Sequence, residues 1–113
     1  MNNQRRKVIR KVLSDIASIT LKTDSFDNLE PDSLETIRDI IQDILDEEQD
    51  SFDNMPENLQ GSERGENSEN AIASLEDALN SLEDALNAAD SEEDIDEVLD
   101  YISDAEASLM EIY

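Results

Sequence analysis

The chain contains no cysteine, no histidine and no tryptophan among its 113 residues. Without Cys and His there is no Cys–His or Ser–His nucleophilic site, no zinc finger, and no haem or iron–sulfur ligation. No disulfide can form, so cysteine usage says nothing about the redox compartment. Glycine and proline are scarce, with two of each, and the aromatics are Phe26, Phe52, Tyr101 and Tyr113. No apolar run approaches the ~18 residues that would suggest a membrane span. Positive charge is also scarce: 8 Lys and Arg stand against 31 Asp and Glu, a formal net charge of −23.

That charge is unevenly placed. Residues 1–22 hold Arg5, Arg6, Lys7, Arg10, Lys11 and Lys22 against Asp15, a balance of +5, and residues 23–113 carry −28. After Arg64 there is no basic residue, while 16 acids follow. Such a body repels phosphates, which excludes direct nucleic-acid binding by it, and acidic membrane surfaces are equally poor partners. Basic proteins, including those with basic nucleic-acid grooves, complement it. High charge with few aromatics also suits disorder, but the apolar residues fall at helical spacing and argue for a folded chain.

Residues 5–22 read as a first helix, with Val8, Val12, Ile16 and Ile19 on one face and Ile9 and Leu13 beside them. Lys11 and Asp15 interrupt any apolar core, so a secretory signal is not expected. An Arg-rich amphipathic presequence also fits this stretch, although the stripe serves equally well as a packing face. Residues 23–33 form a turn segment, with Asp32 or Ser33 as the N-cap of a second helix over 34–53. Leu34, Ile37, Ile41, Ile44 and Leu45 make the stripe of that helix. Asp46, Glu47, Glu48 and Asp50 then oppose the helix dipole, which points to a pairing or functional reason for them. Residues 54–67 hold Pro56, Gly61 and Gly65 and read as a long loop, with Met55 and Leu59 as its sizeable apolar residues.

The clearest element covers residues 68–90, where the heptapeptide SLEDALN occurs twice in succession. Ile72, Leu75, Leu79, Leu82, Leu86 and Ala89 follow the alternating three-four spacing of a coiled-coil seam, with Ala71, Ala78 and Ala85 beside it. Ile95, Val98, Ile102, Ala105, Leu109 and Ile112 repeat that spacing over 92–113. Six residues separate Ala89 from Ile95, about 240° of rotation at ~100° per residue. The two seams therefore face different ways, and a tight turn near 89–92, with Ser91 opening the next helix, is expected. One bent helix is the alternative.

The expected fold is all-α: three to four amphipathic helices in a single domain, a hairpin or coiled-coil-like bundle. A chain this small and this charged is a candidate for burying its seams in a homodimer. Catalysis, cofactors and a dedicated metal site are not expected. Acids abound without a sugar cleft, the glycines carry no phosphate-binding motif, and no acidic segment has the EF-hand spacing.

The acids suggest binding instead. Residues 68–113 carry 15 of them. As a hairpin with legs of roughly 33 Å, they give one negative charge per ~2 Å, close to the ~1.7 Å of duplex DNA. A solvated helix face is the ordinary explanation of a charge run, yet solubility alone needs a net charge of only about 2–8. The candidate partner-binding residues are Glu76, Asp77, Glu83, Asp84, Asp94, Asp96, Glu97, Asp100 and Asp104. The alternative is an adaptor that recognises its partner through Met55, Leu59 and the 54–67 loop. The basic arm, residues 5–11, either docks on the acidic body, within the chain or across a dimer, or binds nucleic acid.

Asp46-Glu47-Glu48-Gln49, followed by Asp53-Asn54-Met55-Pro56-Glu57-Asn58-Leu59-Gln60-Gly61-Ser62-Glu63, resembles a segment of small acidic helical proteins in phages and prophages of Gram-positive bacteria. There it joins two amphipathic helices, and an Ala/Leu/Glu-rich helix follows, as residues 68–87 do here. The resemblance covers roughly 42–88 and carries no catalytic or binding residue over. It implies a setting in the bacterial host cytoplasm. It also implies a counter-defence role against restriction or CRISPR nucleases, in some such proteins by imitation of nucleic acid, and the acidic charge adds a basic nucleic-acid-binding protein as the expected partner.

Overall fold

Helix α1 covers Asn3–Lys22. The Asn2 side chain caps it by accepting from the Arg5 N–H at 2.8 Å, and Lys22 sits in its last turn, where a cation suits the dipole. This is a computed structural model, which describes every residue except Glu93 and Tyr113. Ile9, Val12 and Ile16 are buried, while Val8 and Ile19 are half-buried, so the inward face is turned slightly from the stripe expected.

The connection to the next helix is held by Asn28. Its side-chain oxygen accepts from the Asp24 and Ser25 N–H groups, and its amide donates to the Lys22 carbonyl and to Asp24. Helix α2 then runs Pro31–Asp53. It starts earlier than the expected Asp32 or Ser33 cap, with Glu30 as N-cap. Pro31 has a fixed φ and no N–H, and both suit the first helical position. The Ser33 hydroxyl instead donates to the Glu30 carboxylate.

The stretch 54–67 is not a long loop. A single turn, α3 (Glu57–Gln60), follows Pro56, and α4 (Glu63–Ser91) begins two residues after it. Gly65, which reads as a breaker in sequence, lies buried in the first turn of α4 because a Cβ there would run into the Gln60 carbonyl. The Gln60 amide donates to the Phe52 and Met55 carbonyls and closes the corner.

Helix α5 spans Ile95–Met110. The two seams are separated by a turn, as their different faces require, but the break falls after Ser91 rather than at it. The Ser91 hydroxyl bonds back to the Asn87 and Ala88 carbonyls. Glu92 then takes a left-handed conformation (φ 50°), and Asp94 caps α5 by accepting from the Asp96 N–H. The parts of the expected last helix at Glu93 and Tyr113 lie outside the described residues.

Helices are the regular structure of the described residues, with no strand among them. α4 packs on α5 and α2, and α1 packs on α5 and more lightly on α2. Arg5 near the start of α1 meets Glu48 near the end of α2, which meets Ser68 near the start of α4. The four long helices thus run up, down, up and down, with α1 diagonal to α4, in a rod of 51 × 22 × 19 Å. Because α4 touches two neighbours, Ala78 and Ala85 are as fully buried as Leu75 and Leu82, while Leu79 is only half-buried.

Candidate functional site: an acidic helical hairpin

The nine candidate acids all lie on α4, α5 or the turn between them, and all are exposed. Glu76 and Asp77 recur one heptad later as Glu83 and Asp84, so these four share one outward face of α4. Asp96, Glu97, Asp100 and Asp104 occupy the outward side of α5, and Asp94 is spent partly on capping it. The two helices bring part of the set together around Tyr101. The charge of Glu97 and its hydrogen bond from the phenol (3.3 Å), then the nearby Asp84 and Asp104, hold that hydroxyl above its ordinary pKa. Carboxylates from both legs therefore share one edge, with a half-exposed aromatic ring among them. No group of three or more possible ligands suited to a metal ion occurs among the described residues.

Met55 and Leu59 are half-buried in the corner between α2 and α4, and the Leu59 carbonyl accepts from the Ser62 hydroxyl. Met55 lines a polar recess of about 630 Å³ together with Arg5, Arg6, Glu48, Arg64 and Ser68. A second groove, of about 390 Å³, opens between α1 and α2 over Ile19, Ile37 and Ile40. No helix among the described residues is long and apolar enough to cross a membrane.

Of the four acids whose clash with the α2 dipole points to a pairing or functional reason, Glu48 is the one whose burial and partners sequence reasoning did not find; it is 1 % exposed. It accepts from Arg5 Nε at 3.0 Å and from the Ser68 hydroxyl at 2.9 Å, and the Met1 ammonium lies 3.1 Å away. Burial alone would raise its pKa. The Ser68 hydrogen bond and the cationic groups of Met1 and Arg5 outweigh that and hold it below the usual carboxylate range. The signal was present in the spacing. Glu48 is the next step after Leu34, Ile37, Ile41 and Ile44, and Arg5 precedes Ile9, Val12 and Ile16 in the same way. This pairing explains part of the acidity at the end of α2, since Glu47 also lies 4.0 Å from Arg5. It also internalises the first cation of the basic arm.

No protein-family model, curated protein sequence or solved structure matches the chain.

Proposed function

We propose that the protein is a phage-type counter-defence factor. It binds and inhibits a bacterial nucleic-acid enzyme, a restriction or CRISPR nuclease, by presenting an acidic surface in place of nucleic acid, and it has no catalytic activity of its own. The carrying observation is the economy with which the fold uses its acids. One carboxylate, Glu48, is buried, and every other acid is exposed or half-buried where described. The net charge of −23 over a 51 Å rod gives about one charge per 2.2 Å, near the ~1.7 Å of duplex DNA. A rigid helical hairpin holds those charges in fixed rows, which a flexible acidic tail would not do. The mechanism is occupation of a basic groove on the enzyme, with Glu76, Asp77, Glu83 and Asp84 as the central contacts.

The test is capture of partners from a bacterial lysate by the tagged full chain at low and at high salt. A nuclease or other basic nucleic-acid protein recovered at low salt and lost at high salt supports the reading. A partner retained at high salt points instead to the adaptor alternative, through Met55 and the recess it lines. In that case Met55→Ala with Leu59→Ala removes capture.

A further inference from the structure

We propose that the outer face of α1 is a self-association surface, and that its occupant is the acidic outer face of α4 in a second copy of this chain. The inward side of α1 is consumed by the core through Ile9, Val12 and Ile16, and Arg5 turns in to Glu48. The opposite side carries Lys7, Arg10, Lys11 and Lys22, all exposed, and Leu21 at 88 % exposure. The Lys11–Asp15 contact of 3.2 Å on this helix is between exposed groups and worth little. In a molecule of −23 this helix holds six Lys and Arg against Asp15.

The complementary charge sits on the diagonal helix. The rows Glu76–Asp77 and Glu83–Asp84 of α4 flank the small Ala73 and Asn80, and Ser14 and Ser18 run down the middle of the α1 face. Two helices of this make approach closely, with side chains of opposite sign at the flanks. A nucleic-acid backbone offers the same sign as α4 but no matching helical ridge. Because α1 and α4 point to opposite sides of the bundle, the two faces of one copy cannot meet each other. Contact runs head to tail, each copy's α1 on the next copy's α4, and leaves one face of each kind open at the ends. While so engaged, the α4 face is covered. Such self-association needs only these two faces of the chain and no nucleic-acid enzyme.

Salt acts on it in two directions. At ~0.01 M the Debye length is about 30 Å, so the net negative charges of whole molecules repel across the rod. At ~0.1 M it is about 10 Å and only the facing helices sense each other, and at ~1 M even these are screened. Association is therefore expected to be greatest at intermediate salt.

Sedimentation velocity of the full chain over a wide concentration range tests this, with circular dichroism as the check on folding. Wild type is expected to show larger species as concentration rises near ~0.1 M salt, and monomer near 1 M. Lys7→Gln/Lys11→Gln/Lys22→Gln loses them, and so does Glu76→Gln/Asp77→Asn/Glu83→Gln/Asp84→Asn. An equimolar mixture of the two variants forms a one-to-one complex and nothing larger, because each supplies the face the other lacks. That complex also shows that both variants are folded. A wild type that stays monomeric, variants that assemble as wild type does, or helical variants whose mixture stays monomeric would overturn the proposal. So would a monomeric protein whose α1 face titrates a DNA oligonucleotide.

Discussion

Glu48 is where the acidic character of the sequence meets the core. Its carboxylate is enclosed by α1, α2 and α4, and removing its charge leaves the buried Met1 ammonium without it and Arg5, whose side chain is 14 % exposed, with only the more distant Glu47 at 4.0 Å. Breaking a buried pair from one side costs about 3–5 kcal/mol. Glu48→Gln is therefore expected to lower unfolding stability by about 3 kcal/mol in denaturant titrations. Replacing the three side chains together, as Arg5→Met/Glu48→Leu/Ser68→Ala, is expected to recover part of that, since apolar residues of similar size match buried ion pairs but the Met1 ammonium keeps its charge and loses the carboxylate 3.1 Å away. The pH dependence follows from the lowered pKa of Glu48. A carboxylate whose folded pKa is depressed stabilises the fold above its unfolded value, and the stabilisation fades as pH falls through the folded one. The gap between wild type and Glu48→Gln is thus expected to be constant near neutrality and to close below about pH 4.3. A gap that persists in strong acid would contradict this. The layer was legible in principle, because Arg5, Glu48 and Ser68 each continue an apolar seam by one step. Reading seams only through apolar residues stops short of it.

At the scale of elements, legibility follows periodicity. The seams of α2, α4 and α5 were readable, because heptad spacing is a property of the sequence itself. The corner at 54–67 was not. Glycine there reads as a breaker, yet Gly65 is required inside α4 by the approach of the Gln60 carbonyl, which the turn through Gly61 and Ser62 folds back onto the helix start. Gly65→Ala is expected to destabilise the protein although alanine favours helix by about 1 kcal/mol, and calorimetry measures which effect wins. The turn after α4 carries the opposite prediction. Glu92 holds a left-handed conformation that glycine adopts without penalty. Glu92→Gly is expected to raise stability by up to about 1 kcal/mol, read as an increase in thermal midpoint. The turn itself was foreseen from the mismatch of seams, but its position was set by Asp94 as cap rather than Ser91. Both residue types are good caps, but the Ser91 hydroxyl bonds back into α4 while Asp94 accepts from the Asp96 N–H.

For the whole molecule, the opening imbalance of charge resolves into three roles. Arg5 and Glu48 neutralise each other inside. Arg6 lines the recess beside them, and Lys7, Arg10 and Lys11 lie on the outside of α1. The acids of α4 and α5 cover the far side and one flank of the bundle. The fold therefore carries its net charge under repulsion, and salt is expected to stabilise it. The thermal midpoint should rise between ~0.01 M and ~0.3 M sodium chloride, and a falling midpoint would indicate that exposed ion pairs dominate instead. That the acids were candidates was legible from their number. That Asp84, Glu97 and Asp104 converge on Tyr101 required the α4–α5 pairing, which sequence spacing alone leaves open.

We propose that the acidic face of α4 stands in for nucleic acid on a basic enzyme. This is tested most directly by giving the full chain and its Glu76→Gln/Asp77→Asn/Glu83→Gln/Asp84→Asn variant to the same lysate at low salt. The variant is expected to keep its helical circular dichroism and to lose the captured nucleic-acid enzyme. Capture undiminished by removal of those four charges would contradict it.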